Sequence, residues 1–387
     1  MTVKLYDMDA YMTKFSSKVI SCCKREKDDN YEVVLEATLF FPEEGGQTPD
    51  KGKLGGAEVL DVQIKKDEII HIIDKPLKEG DTVEGEIDWQ HRFYNMQQHS
   101  GEHLFSGITY KKYGYRNVGF HLSDQTATMD FDGVLTMEQA EEIEWAVNEA
   151  IVANVEVKAG YPDKEELAGM EYRSKIEIDG PVRIVEIPRY DICACCAPHV
   201  KRTGEIGMLR IQSLQNYKGG VRISFLCGFR ALMESRRKSN VIGELTGLLT
   251  TGQDKLVENV SKLKIQLQSL KGQLNSASQA LLEIKADAVS EDMNNVFLFE
   301  RDLEASVMRS VVNKLVKKHA GICGVFGGSD KEGYTFIIGS EHEDCRETVA
   351  ILKDKLNARG GGSTQMVQGS VEAGVTADEI RALLMGE

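Results

Sequence analysis

The sequence predicts an α+β protein: a small N-terminal β-barrel, a mixed α+β domain, a long helical segment of coiled-coil character and a C-terminal α/β domain. Three observations carry that prediction. Apolar residues alternate with period two through roughly the first 88 residues, as in half-buried strands. From about residue 89 the spacing lengthens to the helical repeat. From Leu256 to Ile284 it alternates steps of four and three, a heptad seam.

In chain order, "EVVLEATLFF" places Val33, Leu35, Ala37, Leu39 and Phe41 on one face. The runs "AEVLDVQI", "EIIHIID" and "TVEGEID" follow at hairpin spacing, divided by "KKD" and "KPLKEGD". Several short strands close most readily as a barrel, assigned to residues 1–88. "FYNMQQHSGEHLFSGITYKKYG" reads as a helix ending near Gly114. "TMEQAEEIEWAVNEAIVAN" carries Ala140, Ile143, Val147 and Ile151 on one stripe behind a cap at Thr136. With the strand-like "VRIVEI" and "GEIGMLRIQSL", these make an α+β domain over residues 89–230.

The seam of Leu256, Val260, Leu263, Leu267, Leu270, Leu274, Ala277, Leu281 and Ile284 defines a helical linker over residues 231–290, as a coiled coil or a helical hairpin. Residues 291–387 return to α/β character. "GICGVFGG" and "YTFIIGS" read as strands, "SVMRSVVNKLVKKH" and "CRETVAILKDKLNAR" as helices, and "GGGSTQMVQGSV" as a glycine loop.

A chain of 387 residues has room for two or three cores. No apolar run approaches a membrane span, and "MTVKLYDMDAY" lacks the apolar core of a secretory signal, so a cytoplasmic location is expected. Eight cysteines in such a chain suit thiols or metal ligands better than a disulfide framework. A net charge of −14 argues against a broad grip on DNA or RNA, leaving room only for a focused basic site.

"NMQQHSGEHLFSG" puts His99 and His103 four apart, on one face of the predicted helix, with Glu102 between them. In "CACCAPHV", Cys195 and His199 repeat the spacing. Three imidazoles and a thiolate make a tetrahedral ligand set for Zn²⁺. Cys193 and Cys196 stand as alternative thiolates. Closed structural sites favour paired cysteines, whereas here imidazoles dominate and a carboxylate adjoins them. Glu102 is therefore the candidate catalytic group, able to take a proton from water, hold a substrate amine or orient a histidine. The pattern H-x-x-E-H also occurs in inverzincin proteases, which need a carboxylate as third ligand.

"QHSGEHLFSG" and "CACCAPHVKRTGEIGMLRI" resemble the two zinc-ligand motifs of the alanyl-tRNA synthetase editing domain. "FFPEEGGQTPDKG" resembles its glycine motif, and "YKGGVRISFLCGFRAL" its closing strand. The long helix and "RGGGSTQMVQGS" resemble the synthetase's C-terminal domain, of the type shared with DHH-family proteins. Nothing ahead of "YDMDAYMTKF" resembles a class II aminoacylation domain. The chain thus resembles the free-standing alanyl-tRNA editing proteins of the AlaX type, in their long form. Where the family usually has C-G-G-T-H, this chain has Cys195-Cys196-Ala197-Pro198-His199, with the ligand spacing kept.

The resemblance implies a zinc-dependent hydrolase that removes serine from mischarged tRNA(Ala), with glycine as the alternative substrate. An acylation site rejects an isostere with one added hydroxyl only weakly, so a second sieve is needed. The resemblance assigns substrate binding to Gly45, Gly46, Gln47 and Thr48, which composition alone reads as a turn. tRNA contacts are expected at Arg202, Lys218 and Arg222, at Arg309, Lys314, Lys317 and Lys318, and, by resemblance, at Gly360, Gly361 and Gly362. A homodimer through the C-terminal region is expected, with no membrane and no DNA partner. The competing class is a non-catalytic tRNA- or protein-interaction module that keeps a structural zinc.

Overall fold

The computed structural model describes residues 1–66, 68–174, 180–301 and 303–386. They form two compact units, Met1–Ile242 and Gly243–Glu387.

The first unit has two hydrophobic cores. One lies inside a ring of six strands: β1 (Lys14–Lys24), β2 (Tyr31–Leu35), β3 (Gly52–Leu54), β4 (Ala57–Lys65), β5 (Glu68–Ile73) and β6 (Thr82–Ile87). Their antiparallel pairing runs β1-β2-β5-β4-β3-β6 and returns to β1. Val33, Leu35, Val62, Ile69 and Ile73 fill its interior, as alternation dictates. His71 is buried among them.

The second core surrounds α1 (Trp89–Tyr113). Asp88 caps its start by accepting from the His91 amide, and Gly114 ends it in the left-handed conformation, φ +73°. This helix is polar yet buried: Asn95, Gln97, Gln98, His99, Ser100, Glu102, His103, Ser106 and Thr109 are all inside. Long-range bonds offset the desolvation. The Gln98 amide, for example, exchanges bonds with both backbone groups of Cys227, at 2.6 and 3.0 Å. Small residues let the surroundings close in: a Cβ on Gly101 would sit 2.4 Å from Cys227 Sγ, and one on Gly107 2.4 Å from the Tyr190 carbonyl.

Next come β7 (Asn117–Leu122), β8 (Ala127–Phe131), α2 (Met137–Val152), β9 (Lys158–Gly160), β10 (Ile184–Ile187), β11 (Asp191–Ala194), β12 (Leu209–Tyr217) and β13 (Gly220–Cys227). One antiparallel sheet is ordered β12-β13-β8-β7, another β9-β10-β11. A capping box between Thr136 and Gln139 starts α2, which buries Ala140, Ile143, Val147 and Ile151. The barrel's 42–50 loop docks on the end of β7, where Gly46 O accepts from the Leu122 amide at 2.7 Å.

The unit boundary falls within α3 (Gly228–Leu249). The second unit contains α4 (Leu256–Asp287), β14 (Val296–Glu300), α5 (Ala305–Leu315), β15 (Cys323–Ser329), β16 (Gly333–Gly339), α6 (Cys345–Leu356), β17 (Arg359–Gly362), β18 (Met366–Val371) and α7 (Ala377–Met385). Its sheet is ordered β14-β15-β16-β18-β17, parallel only between β14 and β15. Leu282 and Ala286 anchor α4 in a core. From Val260 to Leu274 the seam leucines and valine stay at least half exposed.

One expectation is corrected here. Gly360–Gly362 form a strand, β17, rather than a loop. Gly360 pairs with Gly369, and a Cβ on Gly369 would lie 2.4 Å from the Phe336 ring. Gly360, whose own Cβ would lie 3.2 Å from that ring, makes room for it from the edge strand, not from a loop. Among the described residues no helix is long and apolar enough to cross a membrane.

Candidate metal centre

The third and fourth turns of α1 carry His99 and His103, with ring centroids 5.5 Å apart. Cys195 and His199 come from the chain just after β11, which is not helical. Their spacing works through a turn. The Arg183 guanidinium donates to the carbonyls of Cys195 and Ala197, at 3.0 and 2.9 Å, and folds the segment back. The ligand atoms of His99, His103, Cys195 and His199 all lie within 4.8 Å of one another.

Each imidazole is held by its Nδ1. His99 donates to Gln47 Oε1 at 2.9 Å, His103 to Asp191 Oδ2 at 2.9 Å and His199 to the Ala197 carbonyl at 2.8 Å. That leaves Nε2 of all three available to a metal: the His99 Nε2 lies 3.4 Å from Cys195 Sγ, and the buried Nε2 of His199 has no hydrogen-bond partner. Asp191 is gripped in turn by Arg173, at 2.7 and 2.8 Å.

The electrostatics favour a cation. Burial opposes ionisation of Cys195, but the nearby histidines outweigh it and hold the thiol well below its usual range. Burial would strip a proton from His103, yet Asp191 and Cys195 push it up to about 10. Burial takes His199 down to about 4. Asp191 is desolvated, but His103 and Arg173 keep its carboxyl below the usual range. Cys193 belongs to a second possible cluster with His103 and Asp191, where burial pushes its thiol up. Three imidazoles and one low thiol, with one orphaned nitrogen, fit a zinc-type ion. A protease of the inverzincin pattern would need a carboxylate ligand where Cys195 and His199 converge.

Glu102 is 1% exposed. Its Oε1 accepts from Ser106 Oγ at 2.7 Å and from the Asn117 side-chain amide, while Oε2 lies 3.9 Å from His103 Nε2. The carboxylate is thus fixed beside the ligand nitrogens.

The predicted substrate residues divide. Gly45 and Gly46 are exposed with φ of +62° and +80°, and a Cβ on Gly46 would strike the Phe120 carbonyl at 2.1 Å, so this loop tip requires glycine. Gln47 spends its carbonyl on His99, while its Nε2 is buried and unpartnered. Thr48 Oγ1 is likewise buried and unpartnered.

The predicted tRNA residues are less free than their charge suggests. Arg222 makes a bidentate pair with Asp130, at 2.6 and 2.7 Å, and stacks 3.9 Å from the Tyr217 ring. Arg202 donates to the Asn154 carbonyl. Lys218 occupies an exposed hairpin turn at φ +48°. In the second unit, Arg309 donates to Gln368, Lys314 and Lys318 share Asp287, and Lys317 is exposed. Gly360, Gly361 and Gly362 lie in that unit too, in the hairpin strand described above. Sequence reasoning missed Asp191, Arg173, Arg183, Ser106 and Asn117. Only the Asx- and Ser-rich company of the ligand motifs could have hinted at them.

A deeply buried cluster of three histidines and a cysteine that could hold a metal ion lies where a barrel loop meets a polar helix, in a chain of the class of synthetase editing domains. Family profiles agree. Residues 182–224 match the threonyl and alanyl tRNA synthetase second additional domain, and residues 4–91 match tRNA synthetases class II (A). The alanyl-tRNA editing protein Aarsd1 of Danio rerio is 30% identical over 97% of this chain and 95% of its own length. AlaX-L of Pyrococcus horikoshii is 28% identical over 96% and 95%. The alanine–tRNA ligase of Ignicoccus hospitalis is 30% identical over 93% of this chain but 44% of the ligase. The chain belongs to the alanyl-tRNA editing protein family.

Proposed function

We propose that this protein hydrolyses the ester joining a wrong amino acid, serine above all, to tRNA(Ala), at a zinc ion held by His99, His103, Cys195 and His199. The observation that carries the reading is the convergence of three imidazole Nε2 atoms and one thiol beside a buried, fixed carboxylate. When bound, a zinc ion supplies the Lewis acidity that polarises an ester and acidifies water.

The protein's own groups do the rest. Glu102 takes a proton from the attacking water as its oxygen adds to the ester carbon. As the ester C–O bond breaks, the proton passes to the departing ribose oxygen. The products are the free amino acid and tRNA with its terminal hydroxyl restored. Gln47 and Asp191 keep the His99 and His103 rings turned inward. The Thr48 hydroxyl receives the hydroxyl of serine. Alanine would leave it unpaired, at a cost of about 1–3 kcal/mol. The exposed Lys218 and Lys317, together with Arg202, steer the tRNA, and the α4 seam joins two copies.

Deacylation of seryl-tRNA(Ala) tests this. Wild type should hydrolyse it well above the spontaneous rate, and Glu102→Gln should lower kcat by about 10²- to 10⁴-fold with zinc content unchanged. If wild type binds the tRNA but never exceeds spontaneous hydrolysis, the chain is a binding module with a structural metal.

A further inference from the structure

The two oxygens of Glu102 have different surroundings. Oε1 accepts from Ser106 Oγ at 2.7 Å and from the Asn117 side-chain amide, whereas Oε2 lies 3.9 Å from His103 Nε2. Asn117 Nδ2 also donates to Ser106 Oγ at 2.9 Å, so the three side chains close a triangle around Oε1. All three are buried, and bonds in such a dry setting are stronger than in water. Ser106 stands one turn beyond Glu102 on α1, so the helix itself brings the two together. Asn117 comes from β7 and has to be aimed.

A β-bulge aims it. Leu122 and Phe120 face the core, so strict alternation along β7 would put Val118 inside and Asn117 outside. The pairing with β8 instead passes from Gly119–Asp130 to Asn117–Phe131, which leaves Val118 as an extra residue and reverses the faces. Val118 is 62% exposed and Asn117 5%. Exposing a valine to bury an asparagine runs against the hydrophobic effect, so packing does not account for the bulge. What the bulge achieves is the bond to Glu102. The amide cannot turn over there. The Gly119 N–H, which can only donate, meets Asn117 Oδ1 at 3.0 Å, so Nδ2 is the end that faces the carboxylate. Gly119 is itself pressed against β8: a Cβ on it would lie 2.9 Å from Oδ2 of Asp130, which Arg222 clamps at 2.6 and 2.7 Å.

We propose that Asn117, delivered by this bulge, and Ser106 are positioning residues for the hydrolysis. By occupying Oε1 they hold the Glu102 carboxylate with Oε2 turned to the ligand nitrogens, where the attacking water gives up its proton. The role rests on Glu102 as the proton acceptor proposed above, and both residues act only through it. A carboxylate free to swing would lose that geometry, and a misplacement of about 1 Å costs roughly 10²-fold in rate.

A double-mutant cycle on seryl-tRNA(Ala) deacylation tests this. Asn117→Ala should lower kcat by about 10- to 100-fold, with KM and zinc content unchanged. Ser106→Ala, which loses a single hydroxyl, should lower kcat by about 3- to 10-fold and reads the same coupling in a gentler variant. With Glu102→Gln already in place, each substitution should cost less than about 2-fold, because the group it positions no longer takes a proton. Equal costs in the two backgrounds would overturn the role and leave both residues as structural support. So would a zinc-loaded Asn117→Ala with wild-type kcat, or a change confined to KM. An active wild type matched by Glu102→Gln would keep editing and end the positioning role. A wild type no faster than spontaneous hydrolysis would refute the editing reading and the role with it.

Discussion

Arg92 and Asp50 form an ion pair in which both side chains are 0% exposed. Arg92 stands on the first turn of α1. Its Nε lies 2.9 and 3.0 Å from the two Asp50 oxygens, its Nη2 donates to Asp50 and to the Leu39 carbonyl, and its Nη1 donates to Ala10 O at 3.0 Å. Asp50 also accepts from the Phe41 amide at 2.7 Å, so the pair closes the neck of the 42–50 loop. Arg92→Met would leave a buried carboxylate without its cation and two carbonyls without donors. Breaking such a pair costs about 3–5 kcal/mol, some two to four powers of ten in the folding equilibrium. Pairing it with Asp50→Asn removes the stranded charge, so the double variant should be more stable than the sum of the singles implies, by about 1–3 kcal/mol. Urea denaturation followed by tryptophan fluorescence reads the relevant unit, because Trp89 and Trp145 are the chain's two tryptophans and both lie in Met1–Ile242. A loss of less than about 1 kcal/mol in Arg92→Met, or strictly additive variants, would show that the pair does not hold the loop.

Three further outcomes are expected. His71 sits inside the barrel with its Nδ1 facing Val33 O and its Nε2 facing Thr38 Oγ1, and burial lowers it to about 4. The unfolded chain, titrating near 6.5, binds the proton first. The stability is thus fully present above pH 6.5 and is lost as pH falls toward 4, by about 3 kcal/mol, and denaturation of His71→Gln against wild type should show the difference shrinking over that window. Asp191→Asn should weaken zinc binding by roughly 10- to 100-fold in competition with a chromophoric chelator, because His103 loses its charged partner; unchanged affinity would remove Asp191 from the site's support. Wild type should sediment as a dimer and Leu267→Glu/Leu274→Glu as a monomer, since these residues are 56% and 54% exposed on α4; a monomeric wild type would end the dimer proposal.

What the sequence disclosed depended on how far apart the cooperating residues lie. The α2 stripe is local and matches a buried face, while the alternation over "EVVLEATLFF" matches at Val33 and Leu35 and gives way to a continuous buried run from Thr38 to Phe41. That His99, His103, Cys195 and His199 come together was legible because each half is a short motif, although the Cys195–His199 half closes through a turn and not a helix. Its supports were not legible: Asp191 meets His103 across 88 residues, and Gln47 meets His99 across 52. No local period encodes such pairs. Arg222 illustrates the converse, since its charge suggested a phosphate contact while Asp130, 92 residues away, already holds it. Glycines 360–362 were read as a loop, yet they form a strand whose Gly360 pairs with Gly369, the residue that sits against the Phe336 ring.

The polar character of α1 follows from what it must hold in register. Along one rigid element it presents Arg92 to the neck of the barrel loop, His99 to that loop's Gln47, and then Glu102 and His103 to the sheet side, where Asn117 and Asp191 receive them. The loop is therefore fixed at three points: the neck by Arg92, Gly46 by Leu122 and Gln47 by His99. Thr48 lies between those anchors, so its unpartnered hydroxyl keeps a set position relative to the ligand nitrogens. If Thr48 is the serine acceptor as proposed, separating serine from alanine by one hydroxyl requires that it not drift by more than about half an ångström. An apolar helix could pack as tightly, but it could not tie the 42–50 loop and the His99 and His103 rings to the same frame.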